Sequence, residues 1–201
     1  MKEIAIHPLP AVDASAGCCC GADTGRRMTL KAAAGAVLVA GGVRPAWSAE
    51  EGPRKGDFLV LADDDAKKPV TSADVKDGAK PLIAYPYDPA AKAARDSSRL
   101  NRVVLVRIDP STMDAATKAR AADGVLAYSA FCTHQGCDVS SWVAAEKVLL
   151  CFCHFSKFAP NQEAAVVGGP APRPQPALPL KIEDGKLVVA EGFTAPPGKA
   201  A

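Results

Sequence analysis

From Asp57 onward, short apolar runs alternate with turn-forming residues, and no run is long enough for a multi-turn helix. "DFLVLA" (57–62), "PLIAYPY" (81–87), "RVVLVRID" (102–109) and "GVLAYSA" (124–130) read as strands. "KVLLC" (147–151), "AAVVG" (164–168), "LPLKIE" (178–183) and "KLVVAEG" (186–192) continue the series. Asp184-Gly185 marks a tight hairpin between the last two. One segment has helical character, "STMDAATKARAAD", with Ser111 as its cap, Asp114 completing a capping box and Gly124 as its stop. Residues 88–100 read as a loop with some helix. The pattern predicts an all-β fold with one short helical insertion, and no internal repeat is evident.

The first 48 residues follow a different pattern. Arg26-Arg27 precede Met28-Thr29-Leu30-Lys31, and Ala32 to Val43 is an uncharged run of small and aliphatic residues. Twin arginines before a weakly hydrophobic stretch read as the signal for export of an already folded protein, with cleavage after Ser48 or Ala49. The alternative is a retained membrane anchor, but twelve helical residues span only about 18 Å of a roughly 30 Å hydrocarbon core. The expected organisation is a signal segment at 1–48, a linker at 49–56, one domain at 57–192 and a flexible tail at 193–201. The expected destination is the periplasm, with the membrane involved only if the signal is kept.

Composition supports a turn-rich fold: the 201 residues include seventeen Pro and sixteen Gly, 48% are hydrophobic and 5% aromatic. Five basic and three acidic side chains fall in the first 48 residues, which leaves the rest formally neutral out of a net +2. A nucleic-acid-binding role, which needs a basic excess, is not expected.

The candidate chemistry lies in two dense loops, "CTHQGC" (132–137) and "CFCHFSKF" (151–158), each with two Cys and one His. Beyond residue 50 there is no other Cys or His; Cys18-Cys19-Cys20 precede the twin arginines and have no neighbouring His. Two loops that each present a Cys and a His suit either a zinc ion or a 2Fe–2S cluster with His on one iron. Zinc leaves two thiols over, and in an oxidising compartment two such thiols join.

The two boxes, of the form C-x-H-x-x-C and C-x-C-H-x-S, resemble those of Rieske iron–sulfur proteins. The resemblance covers 125–190, including Gly169-Pro170-Ala171-Pro172, which is similar to the proline loop over the cluster in that family. It implies an antiparallel β-sandwich or barrel base with a small two-loop subdomain at about 130–172. It also implies a 2Fe–2S cluster, with Cys132 and Cys151 on one iron and His134 and His154 on the other. Cys137 and Cys153 would form a disulfide between the loops, and Ser156 would hydrogen-bond a bridging sulfide and stabilise the reduced state.

Three positions depart from the quinol-oxidising members of the family. Phe158 stands where they usually carry a Tyr that hydrogen-bonds a cysteine ligand, which implies a lower potential. Gln135 replaces an apolar Leu. Phe152 and Phe155 replace Pro and Gly; of the two roles open to them, shielding the cluster and packing the subdomain, packing is the expected one for large apolar side chains.

The resulting expectation is an exported electron carrier or subunit that passes single electrons between a partner dehydrogenase or oxidase and an acceptor such as cytochrome c. The small subunit of arsenite oxidase is similar in size, export route and the Phe after the second box. The other reading is the iron–sulfur subunit of a cytochrome bc-type quinol oxidoreductase, which needs a lasting anchor. A self-contained Rieske oxygenase needs two further His and a carboxylate for its iron, and only His7 is left. No bond-making site is expected on this chain.

Overall fold

The computed structural model describes residues 52–199. The expected signal segment lies outside the described residues. Eleven strands form two antiparallel sheets. The larger sheet contains β1 (Phe58–Leu61), β2 (Leu82–Asp88), β3 (Ala93–Ala94), β4 (Val103–Arg107), β5 (Val125–Ser129), β10 (Leu180–Glu183) and β11 (Lys186–Val189). Its order is β10-β11-β1-β2-β4-β5, with β3 beside β2. The chain before β10 returns to β5: Leu178 N–H donates to Ala127 O at 2.9 Å and Ser129 N–H to Pro176 O at 2.8 Å. These bonds curl the sheet towards a barrel, because the strand at one end of the order is held near the other.

The smaller sheet has the order β6 (Ser141–Val143), β7 (Val148–Cys151), β8 (Ser156–Ala159), β9 (Ala165–Gly168). Two cores result, and β4 and β5 form the wall between them. Val103, Leu105, Val125 and Ala127 pack with Leu59, Leu178 and Leu187 inside the large sheet. Their alternates Val104, Val106, Leu126 and Tyr128 pack with Phe131, Leu149 and Phe158 of the smaller unit, and with Cys132 and Cys151. Successive strand residues point to opposite faces. Burial on both faces explains why "RVVLVRID" is a continuous apolar run rather than an alternating one.

The eight predicted strands form, seven of them shorter than predicted and β2 shifted by one residue to end at Asp88. Asp184-Gly185 makes the expected hairpin, with φ of 51° and 76° between paired Glu183 and Lys186. The helix is shorter than its pattern suggests: α1 runs Ala115–Arg120 and is capped by Asp114, whose carboxylate accepts from Thr117 N–H at 2.7 Å. Ser111 belongs instead to a separate 3-10 turn, Pro110–Thr112, capped by Asp109. The helix starts no earlier because Met113 and Asp114 are extended, with ψ of 141° and 166°; Asp114 N–H donates outside it, to Asn161 O at 3.1 Å. Gly124 follows Asp123 in a two-residue turn, where φ is 50° and 75°, and closes the Ala122–Val125 hairpin.

The segment expected as a loose tail is held against the base as far as Gly198. Thr194 N–H donates to Ala177 O at 2.9 Å, and the Arg173 guanidinium donates to Pro196 O at 2.7 Å and Gly198 O at 3.0 Å. Arg173 thus ties the chain end to the stretch just after the proline loop.

Candidate metal centre

The first box is a closed turn leaving β5. Cys132 N–H donates to Cys137 O at 2.7 Å, Gly136 N–H returns to Cys132 O at 2.9 Å, and Phe131 pairs with Asp138 across its base. Gly136 has φ +73°, the left-handed conformation that glycine adopts without steric cost. The base is clamped from outside by Arg99 and Arg102, whose guanidinium carbons sit 4.5 and 5.0 Å from the Phe131 ring centre. Arg102 also pairs with Asp138 at 2.6 Å.

The second box is the β7–β8 hairpin itself: Cys151 pairs with Ser156, and residues 152–155 form the turn. Phe155 sits at φ +58°, a region that bulky side chains avoid. A third segment, after β9, covers this turn. Gly169 has φ +79°, and a Cβ there would lie 2.5 Å from Ser156 Cα and 2.6 Å from Phe155 O. No side chain fits between the proline loop and the second box. Thr133, fully buried, donates its hydroxyl to Arg173 O at 2.7 Å and so anchors the first box to the same segment.

These three loops meet at one end of the domain. Cys137 and Cys153 are joined by a disulfide with Cα atoms 6.5 Å apart, the pairing that the family resemblance implied. Cys132 and Cys151 are free and buried. Burial pushes the Cys151 thiol up; the backbone N–H groups of Cys153 and His154 oppose this and the neighbouring Cys132 adds to it. The sulfurs of Cys137, Cys151 and Cys153 lie within 4.8 Å of one another, although two of them are consumed by the disulfide. The His134 and His154 rings are 4.6 Å apart, edge to face, with His134 half-buried and His154 exposed.

Residues 96–182 match the Rieske 2Fe-2S domain. The chain carries a Rieske domain. It is similar to the Haloferax mediterranei Rieske protein named as a respiratory nitrate reductase subunit, at 34% identity over 73% of this chain and 63% of that one. It is also similar to the cytochrome bc1 complex Rieske iron-sulfur subunit of Corynebacterium glutamicum, at 31% identity over 71% of this chain and 36% of that one. The chain therefore spans less than two thirds of the length of either relative. Among solved structures, the plasma membrane Rieske protein PetC3 from Synechocystis PCC 6803 aligns over 59% of this chain and 93% of that one, at 24% identity and a TM-score of 0.40.

A Rieske domain holds a 2Fe–2S cluster, and two buried atoms show that the residues present fit one. His134 Nδ1 and Ser156 Oγ are both enclosed and have no hydrogen-bond partner in the protein. Buried polar atoms without partners cost free energy unless something else satisfies them. Both belong to the two boxes, beside two buried thiols. Two buried thiols, an unpartnered imidazole nitrogen and an unpartnered hydroxyl are thus a donor set that fits a group offering metal and sulfide.

The structure corrects one sequence expectation here. Phe152 and Phe155 do not pack inside; each is 64% exposed, on either side of exposed His154. The hairpin turn leaves both rings outward, since the interior space beneath it is taken by Cys151, Ser156 and the loop at Gly169. Sequence reading also missed β3, β6 and β8, and it gave no role to Thr133 or to Gln175, whose amide donates to Ser129 O at 2.8 Å. The polar character of Thr133 within an otherwise buried stretch was the available signal; its partner 40 residues away was not.

Proposed function

We propose that this chain is an exported Rieske electron-transfer protein or subunit. It takes single electrons from a partner dehydrogenase or oxidase of a respiratory complex and passes them to an acceptor such as cytochrome c. The observation that carries this reading is the graded exposure of the site. Cys132 and Cys151 are buried, His134 is half-buried and His154 is at the surface.

In this reading Cys132 and Cys151 hold one iron, His134 and His154 hold the other, and the Cys137–Cys153 disulfide keeps the two boxes together. When bound, the cluster supplies one reversible electron at a potential raised by its neutral imidazole ligands. The chain's own residues do the rest. Phe158 and Leu149 keep water from the cysteine side, where both are fully buried. Ser156, whose buried hydroxyl has no partner in the protein, would offer it to the cluster's sulfide. His154 offers the shortest route to a partner and a ring nitrogen whose proton can follow the electron.

Export rests on the twin-arginine pattern, and export of a folded chain suits a site that must be filled before the protein leaves the cytoplasm. Among the described residues no helix is long and apolar enough to cross a membrane. The similarity to a nitrate reductase subunit and to a bc1 subunit supports a place in a respiratory complex. The bc1 relative favours a second reading, the iron–sulfur subunit of a quinol-oxidising complex. Phe158, which lacks a hydroxyl, and exposed Gln135 favour the first.

A redox titration followed by electron paramagnetic resonance, repeated over a pH series, separates the two. A Rieske signal at a potential clearly below that of quinol-oxidising proteins is expected. The same signal at their high potential, shifting with pH near neutrality, establishes the second reading. Replacement of Cys132, His134, Cys151 or His154 by Ala is expected to abolish cluster assembly; a variant that keeps its full iron and sulfide refutes that ligand set.

A further inference from the structure

We infer that Arg102 tunes the potential of the bound cluster, as a positive charge held behind the first box where solvent screens it little. The inference deepens the proposed function and rests on Cys132 being a ligand there.

Arg99 and Arg102 stand at the two ends of one tight turn. The 3-10 turn Arg99–Asn101 closes with Arg102 N–H donating to Arg99 O at 3.0 Å. Residues three apart on such a turn lie one above the other, so both guanidinium groups reach the same side. There they meet the Phe131 ring, at 4.5 and 5.0 Å from its centre. Phe131 is fully enclosed, directly precedes Cys132 and packs in the same core as Cys132 and Cys151. Two cations are therefore held one residue away from a cluster ligand, against an enclosed ring rather than open water.

The charges in this group are unequal in number and in screening. Arg99 and Arg102 share one carboxylate, that of Asp138, at 3.4 and 2.6 Å. Two positive charges and one negative leave an excess of one. Arg102 is the least exposed of the three, at 25%, against 52% for Asp138 and 65% for Arg99. Its Nε is enclosed and has no hydrogen-bond partner in the protein. Lys80 and Asp63 line the same cavity as Arg102 and Asp138, and their charges offset one another.

An enclosed cation that is incompletely paired costs free energy, which its place over the Phe131 ring offsets only in part. Reduction of the cluster adds one negative charge nearby, and the cation stabilises that charge. Net charge around such a cluster is one of the quantities that set its potential. Exposed charges are screened over about 8 Å at physiological ionic strength, and enclosed ones much less. Arg102 therefore acts more strongly on the cluster than Arg99 does, and Asp138 cancels its effect only partly. Phe158 has no hydroxyl to give to sulfur, so a cation behind Cys132 supplies part of the stabilisation of the reduced state that a hydrogen bond would give.

The test is a redox titration of the cluster-bearing protein and its variants, followed by electron paramagnetic resonance, with thermal unfolding measured in parallel. Arg102→Gln is expected to lower the midpoint. Arg102→Lys keeps the charge and loses the planar stack on Phe131, so it is expected to unfold at a lower temperature with a midpoint near that of the wild type. Arg99→Gln is expected to lower the midpoint by less than Arg102→Gln, and Asp138→Asn to raise it. A midpoint in Arg102→Gln at or above the wild-type value overturns the inference. A Lys variant whose midpoint falls as far as that of the Gln variant does so too, because a clamp that only holds the loop gives that result. Should Arg102→Gln fail to fold, Asp138→Asn decides: a raised midpoint supports the inference, and an unchanged or lowered one overturns it. Each of these failures leaves the cluster reading in place. A wild-type protein that contains no iron or sulfide overturns the cluster reading, and this inference with it.

Discussion

Ser156 and Phe158 share one face of β8, since they are two residues apart on a strand, and both are fully enclosed. Opposite them, Cys151 and Leu149 occupy the paired positions on β7. This places a hydroxyl and a bare phenyl ring on the cysteine side of the site. Each hydrogen bond to the cluster's sulfur favours the more negative, reduced state. At about 1 kcal/mol for a hydrogen bond, the one-electron potential moves by about 40 mV. Phe158→Tyr is expected to raise the potential by roughly that amount; an unchanged or lower midpoint rejects this account of the position. Ser156→Ala is expected to lower the potential by a similar amount. The same change should stabilise the cluster-free domain, because it removes a buried hydroxyl that has no protein partner. Opposite signs in the redox titration and in thermal unfolding of the stripped protein check both halves of that statement.

At the scale of elements, the site depends on three loops held at the end of a small sheet. The closest approach among them is at Gly169, where the backbone of the proline loop lies on that of Phe155 and Ser156. Gly169→Ala both requires a left-handed alanine, costing about 1–2 kcal/mol, and drives a methyl group into backbone that has no side chain to move aside. A loss of at least about 2 kcal/mol in denaturant unfolding is expected, together with faster loss of the cluster's visible absorbance; wild-type values on both measures reject the role assigned to this contact. This contact was not readable from "GGPAP", which showed a turn but not what it would touch. Strand β8 was hidden for a related reason: "SKFA" is short and half polar, so it resembled the loop that precedes it. Its pairing partner β7 decided the matter. The long apolar runs at 102–109 and 124–130 were legible as strands because burial on both faces keeps their central positions apolar.

For the whole molecule, the end that carries His154 is uncharged. The loops at 132–137, 152–155 and 169–172 contain no Asp, Glu, Lys or Arg. Of the charges that border these loops, Asp138 pairs with Arg102 and Arg99 and Lys157 with Glu146, while the Arg173 guanidinium donates to the carbonyls of Pro196 and Gly198. Two exposed phenylalanines flank the histidine on this neutral end. Association through such a surface draws on apolar burial rather than on charge steering, and so depends weakly on salt. In the proposed function, the Phe152→Ser, Phe155→Ser double variant is expected to slow electron transfer to cytochrome c about tenfold or more while leaving the paramagnetic signal unchanged. Transfer at the wild-type rate, or a rate that falls steeply with ionic strength in the wild type, refutes that use of the surface.

What the sequence determined by itself was local. Spacing within each box placed a Cys and a His two or three residues apart, and alternation along the strands set the all-β class, since both are properties of a few covalently adjacent residues. Tertiary structure decided how the boxes meet. Thirteen residues separate Cys137 from Cys151, and only the β6–β7–β8 pairing brings their loops together, closes the Cys137–Cys153 bridge and leaves Cys151 beside it. It also decided which histidine is exposed, and that Phe152 and Phe155 face outward against their own hydrophobicity. Those outcomes depend on what already fills the space beneath the turn, and no single stretch of sequence contains that information.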